Sequence, residues 1–283
     1  MATRDTDETR TAMTRPDAEL ALAAAGRAPD DRFPLLEAAI ACAVHETPGR
    51  DSGPARALAS EAAQRLTDRL ASMAGEEAMA EVLSGELRFT GDLITYEHPA
   101  NTDILDVYER RRGLPVALGV VYLDAARRCG LKVSGVDFPG HFLLRIETQE
   151  GPMALDPFSE GRVVPPSELS RRALRAGLTI DVADRLETLM APITDRAVLL
   201  RLQNNIFARA VNARDYARAE RSALRRALVD PSDHRPWIDV AAAREGQGAL
   251  AGALEALSRA QILDGGATIA ARAARERVRL RLN

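Results

Sequence analysis

The sequence is poor in lysine, cysteine and aromatic residues, and each shortage narrows the class of protein. Lys132 is the single lysine and the net charge is −3, so no broad basic surface for nucleic acid is expected. The two cysteines, Cys42 and Cys129, show no CxxC pair and no metal-ligand spacing. A reduced thiol protein is the simpler interpretation, with one disulfide as the alternative. Aromatic residues make up only 4% while alanine is abundant, which predicts helices packed closely through small side chains.

Long apolar runs are also missing. No segment approaches the ~20 consecutive apolar residues that a membrane-spanning helix requires. The N-terminal segment is polar and lacks the apolar core of a signal peptide. These absences predict a cytoplasmic protein without a membrane partner. With 283 residues, 46% of them hydrophobic, the chain is long enough to bury a core as one large domain or two ordinary ones.

The residue patterns divide the chain into three predicted segments. Residues 1–31 are rich in Thr, Asp, Arg and Ala and are expected to be disordered, apart from a loose helix over 19–26. Residues 32–190 combine helical patterns with short apolar segments, which predicts a helical subdomain followed by a small antiparallel sheet. After Pro192 the pattern is purely helical, so residues 191–283 are predicted to form a helical tail.

The tail carries an internal repeat. The segment Tyr216–Ala219 aligns with Leu250–Ala253, and the helix breakers Pro231 and Gly265 fall at the same offset. This offset, combined with helix–turn–helix content, is typical of tetratricopeptide repeats, whose period is about 34 residues. Two copies are too few to be stable alone, so they are expected to dock on the first segment or to be capped by the final helix, 267–283. The arginines of that helix are expected to form a solvated, partly paired face, with a basic contact surface as the alternative.

The stretch from Glu109 to Phe158 contains the residues that point to a reaction. A Gly-Leu-Pro turn at 113–115 starts a predicted helix that ends at Gly130. Two short strands follow; His141 opens one of them and Asp156 ends another. Because adjacent antiparallel strands can place both side chains together, the stretch can combine a helix N-terminus, an imidazole and a carboxylate. Thiol enzymes need these three groups to lower the pKa of the nucleophile, to act as base and to orient the base.

Three motifs in this stretch resemble the transglutaminase-like fold of papain type. They are Arg-Arg-Cys-Gly at 127–130, Gly-His at 140–141 and Leu-Asp-Pro at 155–157. A closer resemblance is to the SirB-type subfamily of bacterial transglutaminase-like proteins with tetratricopeptide tails. It rests on four stretches, at 99–101, 109–115, 139–141 and 156–158. The resemblance covers about residues 33–283 and implies an α+β fold, predominantly α, with a helical repeat tail.

The resemblance places the nucleophile of the family at Pro115, its base at His141 and its orienting residue at Asp156. Proline has no thiol, hydroxyl or amine to attack with, and the subfamily typically has Gly-x-Pro here. Cys129 lies about 21 Å further along the helix, at 1.5 Å per residue, and cannot reach the same site. His141 is then either a structural histidine held by Asp156 or a residue that holds a ligand.

The resemblance therefore implies a non-catalytic protein with a bacterial regulatory role, which binds a protein or peptide through its cleft and its repeat groove. The alternative is a papain-type hydrolase or acyl transferase that uses His141 and Asp156 with another nucleophile. A structural module within a larger complex is a third possibility. The oligomeric state is left open by the sequence.

Five further residues are candidates for contacts in the cleft. Arg110, Arg111 and Arg112 could clamp an anion, or they could form a charged last turn that the helix dipole favours. Asn101 and Asp103 could line the cleft, or they could cap the helix that follows. The other histidines lack metal-ligand spacing, so neither a metal nor a cofactor is expected.

Overall fold

The computed structural model describes residues 13–266 and 269–282 of the chain. Helices predominate, and within these ranges they are α1 (Arg15–Arg27), α2 (Leu35–Glu46), α3 (Gly53–Leu70), α4 (Gly75–Met79), α5 (Ile104–Arg110), α6 (Pro115–Arg128), α7 (Pro166–Arg175), α8 (Ile180–Ala183), α9 (Leu186–Leu189), α10 (Asp195–Asn212), α11 (Tyr216–Val229), α12 (Arg235–Gly246), α13 (Leu250–Leu263) and α14 (Ile269–Leu282). A π-helical segment, Ala80–Glu86, continues α4. The prediction of a predominantly helical chain is confirmed.

The strands form two small sheets. They are β1 (Thr90–Gly91), β2 (Arg112–Gly113), β3 (Val133–Val136), β4 (Leu143–Thr148), β5 (Gly151–Asp156), β6 (Arg162–Val164) and β7 (Pro192–Ile193). Strands β1 and β2 pair in parallel, whereas the other five form an antiparallel sheet in the order β6-β5-β4-β3-β7. The predicted antiparallel sheet is therefore present, and it gains β7 from a segment that the sequence assigned to the tail.

Helix α1 lies in the N-terminal segment, where the sequence predicted a loose helix over 19–26 within otherwise disordered residues. Thr14 and Asp17 form a capping box, in which the Thr14 hydroxyl accepts from the Asp17 N–H at 3.3 Å and the Asp17 carboxylate accepts from the Thr14 N–H at 2.9 Å. Ala18, Leu22 and Ala25 lie on one face of the helix and are buried against α2 and α11. The helix is longer than the predicted one and is packed, because this face has a partner in α11, far away along the chain. The disorder predicted for residues 1–12 lies outside the described residues.

Helix α6 runs through the centre of the core. Every residue from Pro115 to Leu123 is buried, and α3, α10, β3 and β4 pack around the helix. Gly119 allows β4 to approach, because a Cβ atom there would lie 2.2 Å from the Phe142 ring. Gly130, with a φ of 75°, ends the helix as predicted.

Helix α10 belongs to both parts of the molecule. Val198, Leu199 and Leu202 in its first half are buried in the same core as α6. Phe207 and Ala210 in its second half pack against the tail helices. Helix α10, which begins the predicted tail, therefore also packs against the core of the first part.

Each of the helices α11 to α14 packs against the next. Helix α11 begins at Tyr216 and α13 at Leu250, which is the interval of the repeat seen in the sequence. Of the arginines in α14, Arg277 and Arg281 pair with Glu245 of α12 at 2.8 and 2.7 Å. These pairs attach α14 to the array.

Candidate functional site

The antiparallel pairing of β4 and β5 brings His141 and Asp156 together. Leu144 lies opposite Leu155 in the register, so the residues before β4 lie beside the end of β5. Nε2 of His141 lies 3.2 Å from Oδ2 of Asp156. His141 is in the turn that precedes β4, not in the strand itself, and its backbone N–H donates to the carbonyl of Phe138 at 2.9 Å.

Asp156 is fully buried and surrounded by donors. Its carboxylate accepts from the backbone N–H groups of Phe158 and Ser159 at 3.1 and 3.2 Å, and from the Ser159 hydroxyl at 3.1 Å. Burial alone would raise the pKa of Asp156, but hydrogen bonds and charge from His141 and Arg172 outweigh it and hold this pKa below its usual range. An ionised carboxylate only accepts, so Nε2 of His141 must donate, and Nδ1 is left as the second ring nitrogen.

Arg172 of α7 is a part of the site that the sequence did not indicate. Its guanidinium donates to Oδ2 of Asp156 at 2.9 Å and to Glu168 at 2.7 Å. In the sequence, Glu168 and Arg172 have the i, i+4 spacing of an ordinary surface pair on a helix. Only the docking of α7 beside the end of β5 shows that Arg172 also reaches the buried carboxylate.

Pro115 and His141 line one cleft with a volume of about 110 Å³. Its other lining residues are Tyr96, Leu114, Val116, Gly140, Phe142, Arg201 and Asn205. Helix α6 begins at Pro115 with no side-chain cap, so its first N–H groups have no side-chain acceptor. The structure therefore brings together the three positions that the sequence singled out: a helix N-terminus, an imidazole and a carboxylate.

Within residues 13–266 and 269–282, no nucleophile is paired with the His141 imidazole. Among the residues that the structure describes, the His141 ring hydrogen-bonds to Asp156 and to no serine, threonine or cysteine. Burial raises the pKa of the Cys42 thiol to about 12. The Cys129 thiol lies at the far end of α6 and donates to the carbonyl of Ala63 at 3.1 Å. Neither thiol is available to His141.

Asn101 and Arg110 do not line the cleft. They hold the loop that contributes Tyr96 to it. Asn101 is buried, and its amide donates to the carbonyls of Thr95 and Tyr96 at 2.7 and 3.3 Å. Arg110 donates to Oδ1 of Asn101 at 2.9 Å and to the buried carboxylate of Asp92 at 3.1 Å. These contacts fix the loop that carries Tyr96 into the cleft.

Asp103 caps α5, as one of the two sequence interpretations proposed. Its carboxylate accepts from the N–H groups of Leu105 and Asp106 at 2.9 and 3.3 Å. It also pairs with Arg50 at 3.0 Å. This side chain is therefore engaged in starting a helix and does not face the His141 cleft.

The three consecutive arginines do not converge on one point. Helix α5 ends at Arg110, and Arg111 takes a left-handed conformation with a φ of 58°. The Arg111 guanidinium donates to the carbonyl of Tyr108 and lies 5.5 Å from the centre of the Phe89 ring. The Arg112 side chain is exposed and has no partner in the described part of the chain. The anion clamp is not formed, because the change of backbone direction at Arg111 separates the three side chains.

Arg201 of α10 lines the cleft, although the sequence assigned this residue to the tail. Its guanidinium donates to the carbonyl of His141 at 2.9 Å, pairs with Asp137 and lies 5.8 Å from the Phe142 ring centre. Asn205 follows one turn later on the same helix. The cleft thus depends on both parts of the chain.

Two further properties concern the whole described part of the chain. Within residues 13–266 and 269–282, no group of three or more His, Cys, Asp or Glu side chains is placed to hold a metal ion. None of the helices in these ranges is both long and apolar enough to cross a membrane.

Comparison with known families agrees with the fold. Residues 55–204 match the Transglutaminase-like superfamily, and the chain belongs to it. A UPF0162 protein of Xylella fastidiosa strain Temecula1 is 30% identical over 236 residues, which cover 81% of this chain and 84% of the relative. The UPF0162 protein of strain 9a5c is 31% identical over 202 residues, or 69% of this chain and 72% of the relative.

A more distant similarity reaches a eukaryotic protein. Human F-box only protein 21 is 39% identical over 69 residues, which are 24% of this chain and 11% of the human protein. No solved structure matches the chain. Sequence similarity therefore establishes the superfamily. The names of these relatives do not state an activity.

Proposed function

We propose that this chain is a non-catalytic transglutaminase-like protein that holds a segment of a partner protein in the cleft beside His141. The observation that carries the proposal is Pro115, which lines the cleft at the head of α6, where the resemblance places the nucleophile. His141 and Asp156, to which the resemblance gives the roles of base and orienting residue, lie 3.2 Å apart, but proline offers no group for covalent attack. Residues that act as a catalytic unit lose most of their effect when one of them is missing.

The dimensions of the cleft favour a linear segment over a compact small molecule. Small-molecule sites usually measure roughly 300–1,000 Å³, whereas the cleft measures about 110 Å³. Arg201 and Asn205 also line an open groove of about 500 Å³ along α10. A peptide that inserts one side chain beside His141 and continues along α10 fits this arrangement.

We further infer that the chain is of the SirB type, with a regulatory role, and that α10–α14 form a tetratricopeptide-like array. The interval between the starts of α11 and α13, Tyr216 to Leu250, supports the array. Ala219 and Ala253 occupy equivalent positions in α11 and α13 and are both fully buried, as small packing residues of such repeats are. The groove along α10 would then be part of the array and would share Arg201 and Asn205 with the cleft.

A substrate screen separates this proposal from the enzymatic alternative. Wild type and His141→Ala are compared on a panel of fluorogenic esters and amides. We expect no turnover that depends on His141. Turnover by wild type that disappears in His141→Ala would overturn the non-catalytic proposal and favour a hydrolase or acyl transferase.

The assignment of position 115 can be tested by restoring a thiol. In Pro115→Cys the new thiol would lie at the head of α6, in the cleft that His141 also lines, which favours the thiolate. We expect its alkylation by iodoacetamide at mildly acidic pH to be about 100-fold faster than in Pro115→Cys/His141→Gln. Equal rates in the two variants would show that residue 115 is not at the nucleophile position.

Binding in the cleft is tested by blocking the groove. Asn205→Arg places a large side chain in the cleft, while Gln64→Arg makes the same change on the exposed face of α3. Affinity capture should lose the same partner proteins in Asn205→Arg and His141→Ala and retain them in Gln64→Arg. Identical partner lists for all four proteins would contradict the proposal.

A further inference from the structure

A second pocket lies between residues 97–102 and the helices α10 and α11, apart from the His141 cleft. Its volume is about 290 Å³, near the lower end of the range of roughly 300–1,000 Å³ for small-molecule sites. Pro99 lines it from the first part of the chain, whereas Asn212 and Arg218 line it from the tail. Small-molecule sites occur preferentially at such junctions.

Arg218 lines this pocket with a guanidinium that is not satisfied. Its Nε atom is buried and has no hydrogen-bond partner among the described residues. The carboxylate of Glu46 lies 3.8 Å from this atom, which is beyond hydrogen-bond distance. Glu46 is already engaged by Arg221 and Arg225, each at 2.7 Å. The Arg218 guanidinium thus has a long ion pair with Glu46 but no hydrogen bond within the described residues, so its exposed part is suited to an acceptor from outside the chain.

The charged groups that line the pocket balance in number, and three of them are already engaged. They are two guanidinium groups, Arg209 and Arg218, and two carboxylates, Glu97 and Asp215. Arg209 pairs with Glu97 at 2.8 Å, and the Asp215 carboxylate caps α11 by accepting from the Arg218 backbone N–H at 3.0 Å. The Arg218 guanidinium is therefore the charged donor of the lining that a ligand can engage.

The remaining lining is apolar, with one free amide. Pro99, Ile206 and Ala213 present apolar atoms to the pocket. Asn212 is exposed on the last turn of α10, and its amide makes no hydrogen bond within the described residues. The pocket thus offers a guanidinium and an amide beside an apolar wall.

We propose that this pocket binds a small organic monocarboxylate. The carboxylate accepts hydrogen bonds from the Arg218 guanidinium, whose planar fork matches a carboxylate, and from the Asn212 amide. The apolar part of the ligand packs against Ile206. Because Pro99 and Arg218 come from different parts of the chain, the ligand bridges the first part and the tail.

The probes for the test are acetate, butyrate, hexanoate and benzoate, with inorganic phosphate as the comparison, all at constant ionic strength. Binding to the full chain is measured by titration calorimetry and by the rise in the midpoint of thermal unfolding. We expect saturable binding that strengthens from acetate to the larger carboxylates. In Arg218→Gln it should weaken about 10- to 100-fold, because a charged hydrogen-bond donor is lost.

Three variants keep the result unambiguous. Ala213→Phe fills the pocket and should abolish binding. Arg235→Gln removes an exposed, surface-paired arginine and should bind like wild type. His141→Ala should also bind like wild type, because its cleft is a separate site, so this test is independent of the proposed function. The inference is overturned if no carboxylate binds saturably, if Arg218→Gln binds as tightly as wild type, or if phosphate binds more tightly than every carboxylate.

Discussion

Two histidine–carboxylate pairs in this protein have the same spacing and opposite burial. Nε2 of His45 lies 3.2 Å from Glu19, and Nε2 of His141 lies 3.2 Å from Asp156. In the first pair the imidazole is 1% exposed and the carboxylate 48%, whereas in the second the imidazole is 25% exposed and the carboxylate 1%. The chemistry of each pair follows from which partner is buried.

The buried imidazole of His45 is a neutral packing group. Burial and the charge of Arg225 lower the pKa of His45 to about 4, against the opposing effect of Glu19. Arg225 is itself 1% exposed and donates to Glu46 and to Gln203, each at 2.7 Å. This cluster joins α2 to α11. In the His141 pair, by contrast, the carboxylate of Asp156 is buried and the imidazole lines a cleft. The two pairs therefore differ in chemistry although their partners are equally far apart.

The largest effect is expected where Arg225 is removed from the His45 cluster. Arg225→Ala leaves Gln203 and the carboxylate of Glu46 without their buried donor, so the free energy of unfolding should fall by about 3–5 kcal/mol. Urea denaturation measures the change. Arg235→Ala, at an exposed pair, should cost no more than about 1 kcal/mol. If Arg225→Ala and Arg235→Ala lost the same free energy of unfolding, the His45 cluster would not hold the first part of the chain and the tail together.

A smaller loss is expected at the carboxylate of the second pair. Asp156→Asn should lower the free energy of unfolding by about 2–3 kcal/mol at neutral pH, because Arg172 and His141 lose their charged acceptor. The pKa of Asp156 is lower in the folded protein than in the unfolded chain, so its contribution is present above about pH 4 and fades as the pH falls further. The difference between the proteins should therefore shrink in acid. The matched change Asp181→Asn, on exposed α8, should leave stability nearly unaltered at every pH.

The first pair, His45 and Glu19, should make the free energy of unfolding depend on pH. The folded pKa of His45 is about 4 and its ordinary value is 6.5, so between these values the unfolded chain binds more protons. Stability should fall by about 2 kcal/mol as the pH drops through this window. In His45→Gln this slope should flatten, while in His141→Gln, which retains His45, it should persist. An unchanged slope in His45→Gln would place its origin elsewhere.

The smallest effect is expected at the exposed carboxylate of the first pair. Water can replace Glu19, so Glu19→Gln should cost less than about 1 kcal/mol. Urea denaturation of Glu19→Gln beside Asp156→Asn tests the comparison directly. If both variants lost the same free energy, burial would not distinguish the two pairs.

Local patterns in the sequence predicted the parts of the site that lie close together along the chain. The Gly-Leu-Pro start of α6, the stop at Gly130 and the hairpin that joins His141 to Asp156 follow from turn residues and short strands. The alternative role of Asp103 as a helix cap was also visible, because capping acts between near neighbours in the sequence.

The contacts that the sequence did not predict are distant in the chain or buried by docking. Asp92 shows no pattern of its own and Asn101 was expected to line the cleft or cap a helix, yet together with Arg110 they brace the loop of Tyr96. Arg201 lies in a helix whose sequence is like the rest of the tail, and its contact with His141 spans 60 residues. Such contacts depend on the tertiary arrangement, which local propensity does not encode.

The position of α10 also bears on the order in which the protein can fold during synthesis. Leu199 and Leu202 complete a core most of whose other residues have already been made when α10 emerges from the ribosome. Until then, α6 and the sheet lack one wall and leave apolar surface open to solvent, the condition in which nascent chains aggregate. We therefore expect the core of the first part to be completed only after α10, the first helix of the second part, has been synthesised.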